Sequence, residues 1–87
     1  MPRISAFCGV AIYMYCNERD HPVAHFHADH AGRRASVSAD GAVLAGRVEP
    51  RALQFVREWA ALRHKEILAI WQRARDSQSM LPIPPLP

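Results

Sequence analysis

Four of the chain's five histidines fall within ten residues, from His21 to His30, in the stretch HPVAHFHADH. On a β-strand the side chains of His25 and His27 point to one face and that of Phe26 to the other, because successive residues alternate. Two neighbouring imidazoles can bind a metal ion, or can divide general acid and general base work near neutral pH. The pattern therefore predicts a site centred on His25 and His27.

One chemistry that fits the cluster is the cleavage of RNA without a metal ion. This reaction needs a base for the 2′-hydroxyl, an acid for the leaving oxygen and a cation for the developing charge. In this hypothesis His25 and His27 carry the protons. The cation is Arg33 or Arg34, because a planar guanidinium binds phosphate through two hydrogen bonds.

The alternative chemistry is a divalent metal site. Zinc takes four ligands in a structural site, and three ligands and a water in a catalytic one. His25 and His27 would supply two ligands, and His21 or Asp29 would complete the shell. The histidine spacing matches no zinc-finger pattern and the chain has no Cys-x2-Cys pair, so zinc or another divalent metal remains open. A sheet surface without any site is the third interpretation.

The segments around the cluster predict an α+β fold. It consists of a small antiparallel sheet of three to four strands, followed by a bent helix or two consecutive helices packed on one face. Asp40 and Gly41 predict a hairpin turn. The predicted strands are 3–16 with Gly9 as a bulge, 25–29, 33–38 and 42–45.

The second half of the chain predicts helix from Pro50 to about Asp76. Apolar stripes at helical spacing lie before and after residues 63–65, where their register is interrupted. The last eleven residues contain four prolines and no periodicity. We expect a single α+β domain over residues 1–76 and a proline-rich extended tail over residues 77–87.

Composition limits the setting in which the protein works. No run approaches the roughly 18 apolar residues of a membrane span, so we expect no membrane contact. Cys8 and Cys16 would lie about 25 Å apart along one strand, so we expect free thiols and a cytoplasmic protein. The net charge of +3 permits contact with RNA without requiring it.

Several motifs together resemble a known family. They are residues 1–9 (MPRISAFCG), 12–15 (IYMY), 25–28 (HFHA), 51–53 (RAL) and 58–59 (EW). In these motifs the chain resembles the bacterial domain of unknown function 4160 family. The resemblance brings no established activity. It implies a small bacterial protein, often encoded beside another small protein in an arrangement that resembles a toxin–antitoxin pair.

Two positions depart from the family's pattern. Ala24 stands where the family usually has proline, and His30 stands where an aromatic residue is common. The second departure implies that His30 is dispensable to the shared function. His25 and His27 are therefore the stronger candidates for the site. We therefore predict one component of a toxin–antitoxin-like module, with a small partner protein, whose His25/His27 site contacts or cleaves RNA. A divalent-metal-binding module and a purely structural interaction domain are the alternatives.

Overall fold

The structure, a computed structural model, describes residues 3–15, 22–76 and 78–87. Within them, a five-stranded antiparallel sheet is followed by two helices, and each strand pairs with the next one along the chain. The strands are β1 (Arg3–Phe7), β2 (Val10–Tyr13), β3 (His25–His30), β4 (Arg33–Ser38) and β5 (Val43–Gly46). The helices are α1 (Pro50–Leu62) and α2 (His64–Arg75). The predicted α+β class is confirmed.

The prediction of three to four strands is wrong, because residues 3–16 do not form a single strand. Cys8 and Gly9 have φ values of 49° and 76°. Two consecutive residues with positive φ form a type I′ turn, which reverses the chain between paired strands. Gly9 is therefore a turn residue and not a bulge, and a turn interrupts the single strand that the sequence predicts over residues 3–16. Cys8 is an exposed free thiol, and Cys16 lies outside the described residues.

The predicted hairpin at Asp40 and Gly41 is confirmed. It joins β4 to β5, and the Ser38 N–H donates to the Ala42 carbonyl over 2.8 Å. β5 begins and ends one residue later than the sequence predicts. It ends at Gly46, where φ is 73° and where a Cβ atom would collide with the backbone of β4.

The core lies between one face of the sheet and the two helices. Trp59 of α1 is its central residue, with ring centroids 5.5 Å from Phe7 and 5.3 Å from Phe26. The predicted helical stripes are buried, and the helices separate at Arg63, where their register was expected to break. Among the described residues, no helix is long and apolar enough to cross a bilayer.

The proline-rich segment 78–87 has no regular secondary structure but packs against the core. Ile83 is only 3% exposed, and its N–H donates to the Ile4 carbonyl of β1 over 2.7 Å. The indole Nε1 of Trp59 donates to the Pro84 carbonyl over 2.9 Å. The segment therefore contacts the outer strand of the sheet and the central side chain of the core.

Candidate functional site

One face of the sheet carries a cluster of polar and aromatic side chains. Alternation along β3 buries Phe26 and Ala28 in the core and directs His25, His27 and Asp29 to the opposite face. The neighbouring strands add side chains beside these, since β3 lies in the middle of the sheet. We define the open face as the partly exposed surface formed by Tyr13, Tyr15, His27, Asp29, Arg34 and Ser36.

Strand register brings the members of the open face together. His27 of β3 lies opposite Tyr13 of β2 and Ser36 of β4, and Asp29 lies opposite Arg34. Directly opposed side chains in antiparallel strands are close enough to interact. The open face is therefore assembled across three adjacent strands from residues that are distant in sequence.

Aromatic rings and a guanidinium group share this surface. The rings of Tyr13 and Tyr15 are nearly parallel, with centroids 6.4 Å apart, and the Tyr15 ring lies 5.0 Å from that of His27. The guanidinium carbon of Arg34 lies 5.4 Å from the Tyr13 centroid and 5.6 Å from the Tyr15 centroid. Such contacts are cation–π interactions, and they place the Arg34 guanidinium over the two tyrosine rings.

A second contact fixes Arg34. Its Nε donates to Asp29 Oδ1 over 2.5 Å and its Nη2 donates to Oδ2 over 2.9 Å. These hydrogen bonds lower the pKa of Asp29 below its ordinary value and raise the pKa of Arg34. The Arg34 and Asp29 side chains are 42% and 35% exposed, and an exposed ion pair stabilises the fold by at most about 1 kcal/mol. The pair can therefore open at little cost to receive another anion.

The two central histidines differ in accessibility. His27 is partly exposed, and its Nδ1 lies 3.2 Å from the Ser36 hydroxyl. His25 is 3% exposed, and its Nδ1 donates to the Val23 carbonyl over 2.9 Å. The His25 ring lies 5.3 Å from that of His27 and 5.1 Å from that of Trp71. His25 is thus a buried residue whose ring contacts both His27 and Trp71 of α2.

The comparison with known families decides the chain's membership. The model of the family described as Domain of unknown function (DUF4160) matches residues 9–72. The chain belongs to this family. No curated protein and no solved structure matches the chain. The matched region contains every residue of the open face, so this surface is built within the DUF4160 domain.

The structure brings together some of the predicted site residues of this DUF4160 domain and separates others. His25 and His27 lie side by side, as their spacing predicts, and Arg34 shares their side of the sheet. Arg33 does not, because alternation along β4 turns it to the helix side, opposite His30. His21 lies outside the described residues.

Sequence reasoning missed the aromatic and hydroxyl members of the open face. Tyr13 and Tyr15 are two residues apart, the same spacing as His25 and His27, which predicts a common side but not which strand they adjoin. Ser36 becomes a partner of His27 only through the β3–β4 register. The periodicity of α2 predicts that Trp71 is buried, but not that it contacts a histidine.

A metal site receives no support from the described part of this DUF4160 domain. Residues 3–15, 22–76 and 78–87 contain no group of three or more His, Cys, Asp or Glu side chains that could hold a metal ion. Asp29, one of the predicted ligands, has both carboxylate oxygens hydrogen-bonded to Arg34. The other predicted ligand, His21, falls outside these ranges.

Proposed function

We propose that the open face binds single-stranded RNA, and that the protein does so as one component of a toxin–antitoxin-like module. The observation that carries the proposal is the position of Arg34 over two tyrosine rings and beside His27, on one partly exposed surface. Proteins bind unpaired RNA by stacking its bases on aromatic and guanidinium planes and by pairing its phosphates with cations. The open face offers both within three strands.

Arg34 is the phosphate ligand in this proposal. Its contacts with the rings of Tyr13 and Tyr15 hold the guanidinium on the open face before RNA arrives, so little side-chain entropy is lost on binding. A phosphate then replaces the carboxylate as the bidentate partner, which is favourable because guanidinium and phosphate geometries match. Asp29 is thus a competitor for Arg34, and its removal should strengthen RNA binding.

The histidines favour binding over cleavage. General acid–base cleavage requires one group to accept a proton while another donates one. Of the central pair, His27 is partly exposed, whereas His25 is 3% exposed and its Nδ1 proton is held by a backbone carbonyl. In this proposal His27 contacts the RNA, and His25 with Trp71 keeps its ring in position.

The protein partner of such a module has a surface to use at β5. This strand is the outer one of the sheet on its side, and all four of its residues are exposed. Val43 and Leu44 are 38% and 43% exposed, and the strand carries no charge or proline of the kind that protects free edges. An extended segment of a partner protein could pair with it as a sixth strand.

RNA binding is tested by fluorescence anisotropy with a labelled 12-nucleotide single strand over a range of salt concentrations. We expect Arg34→Ala to weaken binding about tenfold or more and to reduce the salt slope by about 1. Tyr15→Ala should weaken it about 5- to 150-fold, the loss of one stacked base, whereas Tyr15→Phe should bind like the wild type.

Two further variants make the test specific to the open face. Asp29→Asn should tighten binding, because it removes the competitor for Arg34. Arg75→Ala removes the same charge as Arg34→Ala from an exposed position on α2 and should change affinity less than twofold. Equal affinities and salt slopes for the wild type and Arg34→Ala would contradict the proposal. Gel analysis of the same RNA reports cleavage, and growth arrest on expression that is relieved by His27→Ala would support the toxin role.

A further inference from the structure

A cavity lies at the far end of β3, between the β3–β4 turn and the start of α1. It has a volume of about 340 Å³, and the residues that line it include His30, Arg33, Arg47 and Glu49. This volume is near the lower end of the range for small-molecule sites, about 300–1,000 Å³. His30 and Arg33 point to the helix side of the sheet, so the cavity is distinct from the open face.

Positive charge dominates the cavity. Arg33 and Arg47 are both exposed, and neither forms an ion pair within the described part of the chain. Glu49 is the one acidic residue in the lining. Two guanidinium groups without carboxylate partners can bind an anion without first giving up another contact.

The start of α1 adds to the positive electrostatic potential of the cavity. Pro50 occupies the first turn, the Glu49 side chain forms no capping hydrogen bond, and the first turn contains no acidic residue. The N-terminus of a helix carries a partial positive charge and unpaired N–H groups, which favour a bound anion. A 13-residue helix with no side-chain cap therefore directs its positive end at a cavity already lined by arginines.

His30 supplies an independent observation. Its Nδ1 is buried and has no hydrogen-bond partner in residues 3–15, 22–76 and 78–87. An unpaired buried polar atom is costly and calls for a physical explanation. The same ring lines the 340 Å³ cavity and the two cavities that adjoin it. His30 therefore adds a polar atom without a described partner to the residues that line the cavity.

We propose that this cavity binds a phosphomonoester. A phosphomonoester near neutral pH carries up to two negative charges and three terminal oxygens, enough to engage Arg33 and Arg47 together beside the positive end of α1. A carboxylate has one charge and two oxygens, so it would form fewer charge-assisted hydrogen bonds with the two guanidinium groups. The volume leaves room for a sugar ring beside the phosphate, so a nucleoside monophosphate fits the site.

The ligand has two possible sources, a free nucleotide and the 5′ end of an RNA chain. A smaller cavity, lined by Asp29, Arg34 and the residues of the β3–β4 turn, lies between the phosphomonoester site and the open face. An RNA with a 5′-phosphate could therefore occupy both sites. The phosphomonoester site does not depend on this, because none of its named residues belongs to the open face.

Binding is tested by titrating ¹⁵N-labelled protein with adenosine 5′-monophosphate and, separately, with unphosphorylated adenosine. We expect saturable shifts of the backbone amides of residues 30–33, 47–49, 51 and 52 with the monophosphate alone. Arg47→Ala should weaken binding at least tenfold, and Glu49→Gln should tighten it about threefold or more. Glu58→Gln makes the same charge change at an exposed position of α1 outside the cavity and should change affinity less than twofold.

Three results would overturn the phosphomonoester site: equal binding of adenosine and its monophosphate, equal effects of Glu49→Gln and Glu58→Gln, or shifts spread over the whole surface. The source is identified by comparing 5′-phosphorylated and 5′-hydroxyl RNA in the Arg34→Ala variant. If the 5′-phosphate raises the RNA affinity and Arg47→Ala abolishes that increase, the 5′ end of RNA is the ligand. If adenosine monophosphate binds but the 5′-phosphate does not raise the RNA affinity, the free nucleotide is the ligand. If the wild-type protein binds the monophosphate but does not bind RNA, the open-face proposal is refuted and the phosphomonoester site is not.

Discussion

The proline-rich segment offers the sharpest test of how this small domain is held together. Ile83 is 3% exposed, whereas Leu81, two residues earlier, is 53% exposed. The two side chains have the same number of carbon atoms and lie in the same extended segment, so Leu81→Ala is a matched control for Ile83→Ala. The two variants differ mainly in whether the removed carbons were packed against the core.

The expected magnitude follows from burial. Truncation of a fully buried isoleucine to alanine costs about 2–5 kcal/mol. The lower half of that range applies here, about 2–3 kcal/mol, because the end of a chain can partly close the space left behind. The N–H bond from Ile83 to Ile4 uses backbone atoms and survives the substitution. Leu81→Ala should change the free energy of unfolding by less than about 0.5 kcal/mol.

Urea denaturation followed by tryptophan fluorescence measures both variants. With a urea slope of about 2 kcal/mol/M, Ile83→Ala should lower the midpoint by about 1–1.5 M and Leu81→Ala by less than about 0.3 M. Trp59 is a suitable reporter because its indole donates to the carbonyl of Pro84. Coincident midpoints for the two variants would refute the conclusion that the segment is part of the core.

Three more substitutions test local features of the fold and of the open face. Cys8→Asn should stabilise the β1–β2 hairpin by about 0.5 kcal/mol, because asparagine adopts positive φ more readily than cysteine and completes an Asn-Gly type I′ turn. An unchanged or lower thermal midpoint of unfolding would argue against that turn. Gly46→Ala should destabilise by more than about 1 kcal/mol, because φ is 73° and the new Cβ would meet the backbone of β4; a neutral effect in urea would contradict that geometry. The lowered pKa of Asp29 means that its contribution to stability is present above about pH 4, the unfolded value, and is lost as pH falls through the lower folded value. In Arg34→Gln, NMR titration should show the Asp29 carboxyl return towards its ordinary pKa, and an unchanged titration would exclude Arg34 as the cause.

Local rules account for the features that the sequence predicts correctly. The common side of His25 and His27 needs only strand alternation. The hairpin at Asp40 and Gly41 needs only an Asp-Gly turn signal between two strands, and Gly41 adopts a φ of 93° there. The break between α1 and α2 appears in the sequence as a change in the register of apolar residues. Each of these depends on neighbours within a few positions.

The β1–β2 turn was missed because its local signal is weak. Cys8 is an uncommon residue at positive φ, and the apolar residues on both sides continue one pattern across the turn. Ile83 was missed for a different reason. Its burial depends on contact with Ile4, 79 positions away, and no periodicity in a proline-rich segment encodes such a contact. A contact between such distant residues is a feature that single-sequence reasoning cannot supply.

The separation of Arg33 from Arg34 shows how strand register divides the chemistry of this sheet. Sequence alone treats the two arginines as interchangeable cations for one site. Because a strand alternates its side chains, Arg34 lies over the tyrosines of the open face while Arg33 lines the cavity beside α1. A slip of one residue in β4 would exchange them and would also move Ala35 and Val37 out of the core. The burial of those two apolar side chains therefore fixes which arginine serves which surface, so RNA and phosphomonoester binding should respond to different members of this adjacent pair.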